Sequence, residues 1–136
     1  MTKRALREKF AANFETALLN AGMQYFNVDD DKPKFWRGEV TNVDDIMFLL
    51  YSVTEPVDTD YADNDLFRQQ LFIDGRLFTR NGFGDSDFQD LGEEIETKCN
   101  ALGIMIKWTG EGSDTSLDTE SPIYYIEFEA QQRLLK

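Results

Sequence analysis

The chain has 136 residues, of which 41% are hydrophobic and 13% aromatic, enough apolar material to fill one core, so it reads as one folded domain and not as a disordered chain. Its 14 Lys and Arg stand against 26 Asp and Glu, and the formal charge of -12 repels phosphate backbones, which disfavours a general nucleic-acid binder. A single cysteine, Cys99, excludes an internal disulfide, and the absence of histidine removes the commonest metal ligand and proton carrier.

Met1 to Lys9 (MTKRALREK) is charged and no apolar stretch follows it, so no secretory signal is read. The longest apolar run, Ile46 to Tyr51 (IMFLLY), is too short to cross a bilayer. The expectation is a soluble protein with no membrane partner, made in a reducing cytoplasm.

Residues 3 to 21 predict an amphipathic helix, with Leu6, Phe10, Phe14, Ala17, Leu18 and Ala21 on one stripe, Thr2 as N-cap and Gly22 in the position of a left-handed C-cap. Its start is basic: Lys3, Arg4, Arg7 and Lys9 against Glu8. Such a patch is usually a solvated helix face, and it can also dock a negative neighbour. Met23 to Val28 predicts a first strand, ended by Asp29-Asp30-Asp31 and Pro33. Phe35, Trp36 and Val40 fall in a polar stretch that fits a short strand or an irregular crossing. Ile46 to Val53 predicts a central strand buried on both faces. Thr54 to Asn64 reads as a turn-rich, mobile loop, and Leu66 to Thr79 as a long strand or hairpin with Asp74-Gly75 marking a turn or bulge.

Ser86 and Gln89 have capping-box spacing ahead of a second helix to Leu102, whose stripe is Phe88, Leu91, Ile95, Cys99 and Leu102, closed by Gly103. Ile104 to Thr109 and Ile123 to Ala130 predict the last two strands, separated by a polar loop over about 110 to 121. Both helices end on a glycine and enter a strand. The pattern predicts a single α+β domain, a mostly antiparallel sheet with two helices packed on one face. The expected core is Phe10, Phe14, Leu18, Phe48, Leu50, Leu91, Ile95, Ile104, Ile106, Ile126 and Phe128.

Candidate chemistry is sparse. Asp58, Asp60, Asp63 and Asp65 have the tight oxygen spacing that Ca²⁺ requires, but the central glycine and twelfth-position glutamate of an EF-hand are missing, and a solvated turn is favoured over a cation site. Arg80 to Gly84 superficially matches an RNA-recognition motif, which Asp85 to Phe88 then breaks, and the lysine of a phosphate-binding loop is absent. Cys99 sits on an apolar stripe with no histidine to activate it. Glu127 and Glu129 alternate with Ile126 and Phe128 and so face solvent. The residues therefore predict no catalytic site, no cofactor and no bound metal.

The order of elements and several segments resemble the tail-completion family of long-tailed bacteriophages and prophages, which includes the tail terminators and related minor tail or head–tail joining proteins. The segments are Leu18 to Val28 (LLNAGMQYFNV), Ile46 to Ser52 (IMFLLYS), Tyr61 to Asn64 (YADN), Gly103-Ile104, and the closing Tyr124 to Phe128 (YYIEF) after an acidic loop. The resemblance implies a structural, non-enzymatic role in the virion: a ring, usually a hexamer, on the end of the tail tube, which stops tube growth and joins tail to head. It implies the protein itself, the tail-tube protein and the head–tail connector as partners, with DNA only as passing cargo. It also implies residence at the tail–head junction after assembly in the host cytoplasm. For such a ring the basic start of the first helix (Lys3, Arg4, Arg7, Lys9) faces the next subunit's acidic loops (Asp58, Asp60, Asp63, Glu111, Asp114, Asp118), because opposite charges offset the repulsion among acidic subunits. The alternative reading is an acidic interaction module, such as a DNA-mimicking inhibitor that occupies a basic site on its partner.

Overall fold

Helix α1 spans Lys3–Asn20 and α2 spans Ser86–Ala101 in the structure, a computed structural model that describes residues 3–28, 31–38, 45–54, 57–62, 65–114 and 123–135. Each helix buries most of the stripe its spacing predicts, Phe10, Phe14, Ala17 and Leu18 in α1 and Phe88, Leu91, Ile95 and Cys99 in α2, while Leu6 and Ala21 are partly buried and the C-cap Leu102 of α2 is exposed. Their exits share one geometry. The Met23 N–H donates to the Leu18 carbonyl at 3.1 Å, and the Ile104 N–H to the Cys99 carbonyl at 2.9 Å. Both reversals require a residue at positive φ, supplied by Gly22 at 97° and Gly103 at 76°. The α2 entrance lies one residue earlier than the Ser86 spacing suggests. Asp85 is the N-cap and accepts from the Asp87 N–H, while the Gln89 side chain donates to the Phe83 carbonyl instead of closing a capping box. Thr2 lies outside the described residues.

The strands are β1 (Gln24–Tyr25), β2 (Lys34–Arg37), β3 (Met47–Val53), β4 (Val57–Ala62), β5 (Asp65–Thr79), β6 (Met105–Asp114) and β7 (Ile123–Leu135). They form one sheet in the order β1-β2-β3-β5-β7-β6, with β4 beside β5. The pairs β1–β2 and β2–β3 are parallel and the others antiparallel, so the domain is α+β with a mostly antiparallel sheet. The fifteen-residue β5 organises it: β7 pairs along Arg68 to Thr79 on one side, while β3 and β4 share the other.

Alternation along β5 divides the sheet into two faces. Leu71, Ile73 and Leu77 join the main core beneath the helices with Leu49, Tyr51, Phe128 and Ala130. On the opposite face Phe48 and Phe78 stack at 4.6 Å between centroids and enclose Ile123 in a second, smaller cluster. This two-sided burial explains the unbroken apolar run of β3. Of the expected core, Leu50, Ile106 and Ile126 are partly buried at the margins of these clusters.

Several expected boundaries are corrected. The first strand shortens to Gln24–Tyr25, because the Val28 N–H folds back onto the Tyr25 carbonyl in a turn. The uncertain stretch after it holds β2. No turn interrupts β5 at Asp74-Gly75. Gly75 is instead a mid-strand position with no room for a side chain, facing its cross-strand partner Phe128. The loop expected over 54–65 contains β4, since Asp-rich sequence does not prevent backbone pairing with β5. The loop expected over 110–121 is strand as far as Asp114: β6 bulges between Trp108 and Gly110, and Gly112 then makes space for the Tyr125 ring. Residues 115–120 lie outside the described part.

Candidate functional site

The basic patch does not stand as four free charges. Arg37, at the end of β2, grips Glu8 of α1 with both terminal nitrogens, at 2.8 and 3.0 Å. That two-pronged hydrogen bond is the main reason the Glu8 carboxyl is held below its ordinary range. Arg7 is half-buried with Nε 3.7 Å from the same carboxylate, so it belongs to this cluster. Arg4 and Lys9 are exposed, and Lys3 is the first helical residue. Two turns further on, the Tyr51 hydroxyl donates to Glu15 at 2.6 Å, and burial pushes the Tyr51 phenol above its usual range.

Glu8 meets the end of β2, whereas α1 exits through Met23 into β1, whose Gln24 pairs with Lys34 at the start of β2, so α1 runs antiparallel to those strands. The start of α1 therefore points toward the end of the sheet where β4 lies. Asp58 and Asp60 sit on β4 opposite Gln69 and Arg68. Glu111 (exposed) and Asp114 (half-buried) sit on β6 opposite Ile126 and Ile123, at the other end. The structure thus brings Arg4 and Lys9 to the same end as Asp58 and Asp60 and places Glu111 and Asp114 at the opposite end. Asp63 and Asp118 lie outside the described residues.

Two margins of the sheet carry features the sequence reading missed. Between α1 and the β1–β2 margin is a concavity of about 260 Å³, walled by Tyr25, Phe26, Phe35 and Trp36, with Glu15 and Arg37 also lining it. At the far margin the ten-residue β6 pairs with β7 on one side, with no strand on the other among the described residues. The available signal was edge alternation: β6 reads exposed, half-buried, exposed along its length.

Among the described residues no group of three or more Cys, Asp or Glu converges to hold an ion, and no helix is long and apolar enough to cross a membrane. Cys99 is fully buried, and desolvation, reinforced by Glu96, pushes its thiol up to about 12. The Cys99 and Tyr51 shifts fix a pH response. Both groups are neutral in the fold and ionise more readily in the unfolded chain. Their contribution is fully present below the ordinary thiol value of 9.0 and is lost as pH rises toward 12. Urea midpoints measured between pH 7 and pH 11 should therefore fall above about pH 9, and Cys99→Ala should reduce the fall.

Compared with known proteins, the chain matches no family model and no curated protein.

Proposed function

We propose that the chain is a structural virion-assembly protein that closes into a ring on the end of a phage tail tube, stops its elongation and joins tail to head. The observation that carries this reading is the unlike pair of sheet margins: a ten-residue open edge strand on one side and a concave aromatic margin on the other. Open edges pair with neighbours unless blocked, and two unlike margins on one chain favour head-to-tail contact. The family resemblance also supports the reading, and its segments include the glycine end of α1 at Gly22 and Tyr124 to Phe128 in β7. A wall carrying -12 per subunit offers passing DNA no counterion-releasing contacts. In this reading the protein works through surfaces, without catalysis or cofactor, and its partners are its own copies, the tube protein and the connector.

The test is tube growth. Adding the chain to polymerising tube protein of the same virion should leave capped tubes of limited length under the electron microscope; uncapped tubes of unrestricted length would contradict the proposal. The exposed Arg4 and Lys9 supply the charge component, so Arg4→Glu with Lys9→Glu should weaken capping, most at low salt, while circular dichroism stays unchanged. Arg7 is unsuited to this test because it packs into the Glu8–Arg37 cluster.

A further inference from the structure

We propose that copies of this chain join head to tail through the two outer margins of the sheet, the β6 margin of one copy seated on the β1–β2 margin of the next. The inference rests on the ring reading and names its contact surfaces. Scattered exposed apolar residues are normal, but among the described residues the large ones other than Ile46 gather at opposite margins. Leu19, Tyr25 and Val28 are 40%, 50% and 44% exposed beside β1, and Leu102 and Met105 are 37% and 64% exposed at the start of β6.

The backbone is open at the same two places. β1 pairs only with Lys34 and Phe35, so Trp36 and Arg37 run on past it toward the concavity. At about 260 Å³ the concavity falls below the roughly 300–1,000 Å³ of small-molecule sites and suits an inserted side chain such as Met105.

Charge follows the same polarity. Arg4 lies one turn before Glu8, whose partner is Arg37, and so stands on the flank of α1 above the β1–β2 margin. Gly92 faces Trp108 of β6, with 3.8 Å from a Cβ built there to the indole ring. That contact turns the flank with exposed Glu93 and half-buried Glu96 toward the β6 margin, where Lys107 and Glu111 are exposed. An aromatic hollow flanked by Arg4 thus meets a margin with protruding Leu102 and Met105, flanked by Glu93 and Glu111. Because the surfaces differ, the contact is heterologous and propagates around a ring instead of ending at a twofold dimer.

Met105→Glu spoils one margin and Tyr25→Glu the other, with Val28→Glu as a second variant of the latter should the Tyr25 ring prove necessary for folding. Sedimentation of each variant alone, with circular dichroism as the check on folding, should show association weakened by about tenfold or more. An equimolar mixture of the two should recover a heterodimer and stop there, since only one good margin remains on each copy. Variants that associate as strongly as the unsubstituted chain would overturn these margins while leaving the ring reading intact. An unsubstituted chain that is monomeric throughout the series would overturn both.

Discussion

Gly75→Ala should be among the most destabilising single substitutions in the chain, lowering stability by about 3 kcal/mol. A Cβ at this position would lie 2.5 Å from the Leu50 carbonyl oxygen and 2.5 Å from the tip of the Phe128 ring. Neither neighbour can yield cheaply: Leu50 is paired within the centre of the sheet, and Phe128 is buried against Phe14 and Trp108. Against a typical total of about 5–15 kcal/mol, the loss is a large fraction of the fold's stability. Urea denaturation reads it as a drop in midpoint. Adding Phe128→Ala should not restore the midpoint, because the clash with the backbone oxygen remains. Full stability in Gly75→Ala alone would show that β5 can shift at this level and would remove the close-approach account of the glycine.

Phe14→Ala should cost about 3–5 kcal/mol by opening a cavity at the centre of the main core. The ring is fully buried and joins α1 to two strands of the sheet, with centroids 5.2 Å from Tyr51 and 5.8 Å from Phe128. Its loss also loosens the seat of α1, which the Tyr51–Glu15 hydrogen bond shares. The expected result is a lower thermal midpoint and a weaker near-ultraviolet aromatic signal. Phe14→Leu should recover much of the midpoint, since it refills part of the volume. A midpoint within about 1 kcal/mol of the parent in Phe14→Ala would mean that the helix does not depend on this contact.

Local periodicity made much of this fold legible. The stripes of α1 and α2 and the left-handed glycines at 22 and 103 are short-range features, and apart from Leu102, which is exposed past the end of α2, they lie close to where the sequence places them. What stayed hidden depends on partners distant in the chain. Gly75 and Gly112 read as turn residues because glycine is common in turns; only the rings of Phe128 and Tyr125, across the ladder, explain them as strand positions. The Asp-rich β4 reads as loop because its pairing with β5 is invisible in its own composition. Lys34 carries a further lesson: a lysine in a polar stretch is buried, and its ammonium is held 3.0 Å from Asp45.

The candidate interface was less legible. Charge counting found the basic start of α1 but could not see that Glu8 and Arg37 pair or that Arg7 joins them. It also grouped Asp58, Asp60, Glu111 and Asp114, which the sheet divides between its two ends. The apolar margins emerge only when Tyr25 and Met105, far apart in sequence, are placed on opposite edges of one sheet.

Self-association is the central claim, and mass in solution tests it most directly. Sedimentation velocity from micromolar to millimolar protein at low salt should show a monomer giving way to one discrete closed species, most simply a hexamer, that loosens as salt screens the charged margins. A chain that stays monomeric across the whole range, or that grows without a limiting size, would contradict the account.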